Sequence, residues 1–200
     1  MKLLTALPFL VALAAAPAIA ATTPVLIDFE QQWQYGDVVD NTYASNGVTF
    51  TNVLGLSNDN VQTYYSGAPS PLGVAMVQLD GVVNTTAFMN VAAGVDSNIS
   101  FYFASPSDVL GAVKAYAGLN GTGSLLGTYD LVSNGTAYDI WTSATFNFTG
   151  VARSFDLTGS ANVVGLDNIG VTAVPEPESY ALALMGLGLI GVVGRRAMRQ

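Results

Sequence analysis

The chain is 200 residues long, with 14 acidic and 6 basic side chains, a formal charge of −8, and no histidine or cysteine. That inventory removes histidine-based acid–base and triad chemistry, cysteine nucleophiles, disulfide staples and ordinary zinc sites. The acidity also excludes a nucleic-acid partner, because a negative surface repels the phosphate backbone.

Met1–Ala20 reads as a secretory signal peptide. Lys2 supplies the positive start, Leu3–Ala16 is apolar apart from Thr5 and Pro8, and Ala18-Ile19-Ala20 is a small-x-small cleavage site. Cleavage is expected after Ala20 or Ala21. Residues 21–173 then form a stretch of 153 residues (173 − 21 + 1), ample for one domain with its own core. In this stretch twelve carboxylates face only Lys114 and Arg153, a balance of 2 − 12 = −10. Most of these carboxylates serve solubility.

The domain has an all-β texture, with apolar and polar residues alternating at period two. Val25, Ile27 and Phe29 share one strand face, and Asp28 and Glu30 take the other. The same alternation marks Val48–Phe50, Ala75–Leu79, Ile99–Phe103, Val113–Ala117, Phe146–Phe148 and Ile169–Val171. Turn dipeptides separate these runs: Asn46-Gly47, Asp80-Gly81, Asn120-Gly121, Asn134-Gly135 and Thr158-Gly159. No window shows a sustained helical stripe. Roughly eight to ten short strands predict a two-layer antiparallel β-sandwich of jelly-roll type.

Few residues carry candidate chemistry. Gly118–Gly123 is glycine-rich but lacks the lysine and the helix of a phosphate loop, so it reads as a hairpin loop. Asp28 and Glu30, two apart on one strand face, would place their carboxyls roughly 5–7 Å apart, the only enzyme-like arrangement, that of a carboxylate glycosidase. A solvent-facing acidic strand explains them more simply. Trp33, Tyr35, Tyr43, Tyr64, Tyr65, Tyr138 and Trp141 lie in or near loops, where aromatic faces can stack on sugar rings or else fill core. The N-x-S/T triplets at Asn84, Asn98, Asn134 and Asn147 are accidents of an Asn- and Thr-rich composition.

At Val174 the composition changes. Pro175 and Pro177 flank Glu176 and enforce an extended, non-helical segment. Tyr180–Gly194 follows, 15 residues without charge, and then Arg195, Arg196 and Arg199. A helix of that length rises about 22 Å, a short transmembrane span whose arginines hold the C-terminus on the cytoplasmic side. Gly188, Gly191 and Gly194 are spaced by three, so the G-x-x-x-G pairing motif is absent.

Residues 174–200 resemble the PEP-CTERM sorting signal of Gram-negative bacteria that make exopolysaccharide: a Pro-Glu-Pro motif, a short glycine-rich apolar helix and an arginine cluster. Two departures are mild: Glu178 stands where small hydroxyl residues are usual, and Ala197 and Met198 interrupt the basic end. The resemblance implies export, a transient inner-membrane anchor, and processing by exosortase, a membrane cysteine transpeptidase. Ile27-Asp28-Phe29-Glu30, Gly47-Val48-Thr49-Phe50 and Leu166-Asp167-Asn168-Ile169 are similar to segments of exported PEP-CTERM proteins, and to the first and last strands of carbohydrate-binding jelly rolls.

Asp167 poses a problem of phase, because period two puts it on the face of Ile169 and Val171. On a core face it would need a partner, and no histidine exists to provide one. A structural calcium, which takes oxygen ligands alone, is one answer; capping by backbone amides is the other. The first and last strands of a jelly roll are neighbours, which would bring Asp28 or Glu30 toward Asp167, and the resemblance implies calcium in such a place. The expectation is therefore an exported, non-enzymatic protein of the cell surface or extracellular matrix. Its partners would be the export machinery, exosortase and exopolysaccharide. The alternatives are a carboxylate glycosidase acting on matrix polysaccharide and a membrane-anchored adhesin.

Overall fold

The computed structural model describes residues 24–34, 36–57, 65, 67–174 and 185–186. The signal-peptide segment with Ala18 and Ala20, and the tail residues Pro175, Glu176, Pro177, Arg195, Arg196 and Arg199, lie outside the described residues. Among the described residues no helix is long and apolar enough to cross a membrane. The chain divides into two units: Thr22–Val174, and Met1–Ala21 with Pro175–Gln200.

Among the described residues the unit Thr22–Val174 has nine β-strands: β1 Pro24–Ile27, β2 Val48–Thr51, β3 Val53–Ser57, β4 Gly73–Val77, β5 Phe88–Ala104, β6 Val109–Tyr116, β7 Leu125–Leu131, β8 Thr142–Asp156 and β9 Gly165–Ala173. They run β3-β4-β9-β5-β8-β6-β7, with β1 added to β9 and β2 to β5. Every pairing is antiparallel. The all-β expectation holds, with one refinement: the two layers are halves of a single curled sheet.

The curl has a local cause. β5 and β8 span 17 and 15 residues, far longer than the short strands the sequence suggests. The first part of β5 pairs with β2 through Phe88–Val91, whereas its last part pairs with β9. Between them the β5–β8 register slips twice, near Gly94 (φ +87°) and Ser97 (φ +69°). Bulges of this kind bend a strand and raise its twist, so one strand can serve both layers.

The alternating residues then enclose one core. Val48, Phe50, Met89, Val91, Ile99, Phe101, Phe103, Phe146, Phe155, Ile169 and Val171 are all buried. Phe101, Tyr129, Phe146, Phe148 and Phe155 form a run of ring contacts with centroids 5.5–5.9 Å apart. Burying each phenylalanine contributes about 1.5–3 kcal/mol, which lets the domain dispense with disulfides.

The turn chemistry follows the sequence at Asn120-Gly121, whereas Asn134-Gly135 lacks positive φ and Thr158-Gly159 lies in the 3-10 turn Thr158–Ser160. Asn120 and Gly121 both have positive φ, +53° and +70°, and Thr122 N–H donates to the Leu119 carbonyl at 3.1 Å. This is the type I′ turn that Asn-Gly encodes. At the β4–β5 connection the Asp80 carboxylate accepts the amides of Val82, Val83 and Asn84 at 2.9, 2.9 and 3.0 Å. Those three donors hold its pKa below the ordinary carboxylate value.

Candidate functional site

Three carboxylates singled out in the sequence reach the same end of the domain, though not as two adjacent strand faces. β1 ends at Ile27, and Phe29 adopts φ +52°, so Asp28 and Glu30 lie in a turn beyond the strand. Asp28 Oδ1 accepts the Glu30 amide at 3.3 Å and the Tyr43 hydroxyl at 3.4 Å. Glu30 Oε1 reaches across to the amides of Leu72 and Gly73, at 2.7 and 3.3 Å. Both carboxylates accept backbone amides, and Asp28 also accepts the Tyr43 hydroxyl. This is the arrangement of structural caps rather than of an open acid–base pair.

Asp167 resolves differently from the phase argument. Its own strand carries a bulge: β9 pairs Gly170 with Ser100 but Asp167 with Tyr102, so the register slips across Asn168, which has φ +48°. The slip resets the alternation. Leu166 joins Ile169 and Val171 in the core, and Asp167 shares the outer face with Tyr102. It is still fully buried, because the segment that begins at Ser70 covers it. Its Oδ2 accepts the Ser70 amide at 2.9 Å, its Oδ1 accepts the Asn168 amide at 2.7 Å, and Ser70 Oγ donates to Asn168 Oδ1 at 2.9 Å.

The electrostatics tie these groups together. Burial pushes the Asp167 carboxyl up to about 6, against the pull of its amide donors, and the charge of Glu30 adds to the rise. Burial, with Asp28 beside it, also raises the Tyr43 phenol. Among the described residues, no three carboxylates gather closely enough to hold a metal ion. Glu30 and Asp28 would have to turn from their amides to join Asp167 around calcium.

The aromatic candidates are mostly structural. Trp33 is buried, donates Nε1–H to the Phe29 carbonyl at 3.0 Å, and lies flat against Gly55, where any Cβ would overlap its ring. Tyr43 packs edge-on against Phe29 and Phe50. Tyr138 donates to the Val163 carbonyl at 2.7 Å, and Trp141 donates to the Tyr138 carbonyl at 3.2 Å. Tyr65 and Tyr138 have ring centroids 5.7 Å apart. Tyr35 and Tyr64 lie outside the described residues.

A different site, which the sequence did not flag, lies on the outer face of β2 and β5. A cleft of about 430 Å³ is lined by Asn41, Thr49, Thr51, Asn90, Leu119 and Asn120, with Ala44, Gly47, Phe50 and Ala92 completing it. Thr49 and Asn90 are register partners on adjacent strands and form its floor. The 3-10 turn Ala44–Asn46 bounds one side and the type I′ turn the other. That second turn is pinned in place. Asn90 Nδ2 donates to Asn120 Oδ1 at 2.9 Å while Asn90 Oδ1 accepts the Asn120 amide at 2.8 Å. Ser154 Oγ accepts the Gly121 amide at 2.9 Å and donates to the Gly118 carbonyl at 2.6 Å. Neutral amides and hydroxyls carry no charge, pKa or metal-ligand signature. The one visible hint was Asn120-Gly121, read correctly as a turn.

Residues 173–199 match the PEP-CTERM protein-sorting motif, and the chain carries that motif. No curated protein matches the chain. Among solved structures, it is similar to a family 6 carbohydrate-binding module studied by binding sub-site dissection (14% identity, 75% of this chain and 94% of the other, TM-score 0.43). It is similar to the K1 cleaved adhesin domain of Lys-gingipain from Porphyromonas gingivalis (12% identity, 76% and 99%, TM-score 0.46). A family 6 module from Clostridium stercorarium, in complex with cellobiose, is a third (11% identity, 76% and 95%, TM-score 0.42). These are likenesses of fold.

Proposed function

We propose that this chain is an exported protein of the cell surface or extracellular matrix, sorted by exosortase, and that its β-domain is a non-enzymatic module for exopolysaccharide. The observation that carries the sorting half is the PEP-CTERM motif at residues 173–199. In this reading Tyr180–Gly194 anchors the chain transiently in the inner membrane with Arg195, Arg196 and Arg199 on the cytoplasmic side. The non-enzymatic half is supported by the absence of histidine and cysteine, and by Asp28 and Glu30 being turned to backbone amides. A preformed polar cleft, not a catalytic pair, is what the domain offers a saccharide.

The test is intact mass of the protein recovered from the surface or medium of an exopolysaccharide-producing host, with fractionation of the cells. The expected species lacks Met1–Ala20 and the segment after Pro177. A surface-released chain intact through Gln200 overturns the sorting reading and leaves the anchored adhesin.

Calcium forms a second, separate proposal. Asp167 would supply the buried ligand, with Glu30 or Asp28 swinging in from the neighbouring turn. Its support is the position of Glu30, whose charge acts on the buried Asp167 carboxyl. The ion would stabilise the fold by mass action rather than take part in chemistry.

A further inference from the structure

Resting on the polysaccharide-binding reading, we infer that the cleft between β2, β5 and the Leu119–Thr122 turn is the saccharide site, and that it takes neutral rather than uronic-acid or sulfated chains. Every side chain lining it is uncharged, in a domain whose balance is −10 (2 basic against 12 acidic residues over 21–173). An anionic glycan would approach against that field with no arginine or lysine in the cleft to receive it. A neutral glycan needs only hydroxyl and amide partners, and these are present.

Among the described residues, the side chains of Asn41, Thr49 and Thr51 make no hydrogen bond. None of them is a buried orphan either, so their donors and acceptors are open to solvent. Asn120 is held by Asn90 through its backbone amide and Oδ1, which leaves its Nδ2–H donors directed by that clamp. Leu119, 41% exposed, adds an apolar surface for the C–H face of a sugar ring. The cleft volume of about 430 Å³ falls within the range of small-molecule sites, about 300–1,000 Å³. The turn that closes it is tied to β5 and β8 by four hydrogen bonds. Binding therefore needs little loop ordering, which favours affinity.

The test uses the full chain in mild detergent against a soluble neutral β-glucan, a galactomannan and an alginate, by affinity electrophoresis and calorimetry. Two variants probe the cleft from positions the fold does not depend on: Asn41→Ala, which removes an unengaged amide, and Ala92→Trp, which fills the cleft from an exposed site. The expected result is retention of a neutral glycan and not of alginate. Each variant should weaken it about tenfold or more, the scale of one to two hydrogen bonds, at an unchanged melting temperature. A neutral glycan bound equally by both variants overturns this cleft while leaving a polysaccharide-binding domain. Preference for alginate overturns the neutral class. No retention of any of the three glycans overturns both the cleft and the binding half of the proposed function.

Discussion

Asp167 shows how a register slip can overturn the face that strand alternation assigns to a side chain. Period two assigned it to the core face; the bulge at Asn168 moves it to the outer face, where the Ser70 segment buries it instead. The sequence could reveal a conflict of phase but not its resolution, because a register slip depends on the partner strand. The consequence is measurable. A carboxyl near 3.8 when unfolded and about 6 when folded binds its proton more tightly in the native state. With chelator present, stability therefore falls as pH rises from about 4 to about 6, by roughly 3 kcal/mol at most, and is then flat. Thermal unfolding across that window should show the decline in the native chain, and Asp167→Asn should flatten it. Added calcium should abolish or reverse the decline, since an ion bound at Asp167 favours the ionised form. Curves identical with calcium and with chelator, in both proteins, would remove the calcium proposal.

At the level of elements, the hairpin signal at Asn120-Gly121 was legible and the bulges were not. Asn120-Gly121 encodes its turn directly, because both positions need positive φ. β5 and β8 look like short strands because breaks at Gly94 and Ser97 in β5, and at Gly150 in β8, interrupt the alternation without ending the strand. The β9 bulge gives a sharper test of what such a position requires. Asn168 sits at φ +48°, accepts Ser70 Oγ, and lets Leu166 and Ile169 both face the core. Asn168→Gly keeps the backbone and loses only the side-chain bond. Asn168→Val adds a β-branched residue in the left-handed region, which costs about 1–2 kcal/mol beyond the glycine variant. Chemical denaturation of the pair checks this; equal stability of the two variants would mean that the backbone relaxes freely there and that the bulge does not fix β9.

For the whole molecule, charge and architecture separate two tasks that composition had already hinted at. The cleft draws on the 41–51 segment, the start of β5 and the β6–β7 turn, positions far apart in the chain that only the curled sheet brings together. No local pattern could announce it. The tail is the opposite case: all its information is contiguous, so residues 173–199 were readable in full as a sorting motif. The arginines give that reading its physical content, because moving three guanidinium groups through a hydrocarbon core is costly at each one, about 2.5–3.5 kcal/mol on insertion scales. They should therefore hold the C-terminus in the cytoplasm while the domain outside is processed. Replacing Arg195, Arg196 and Arg199 together with alanine should leave domain stability unchanged, and the chain should then slip from the membrane unprocessed or accumulate at full length. Immunoblots of membrane, surface and medium fractions, with antibody against the domain, report both outcomes. Processing that proceeds at the native rate in the triple variant would show that the basic cluster is not the stop, and that recognition rests on the Pro-Glu-Pro segment alone.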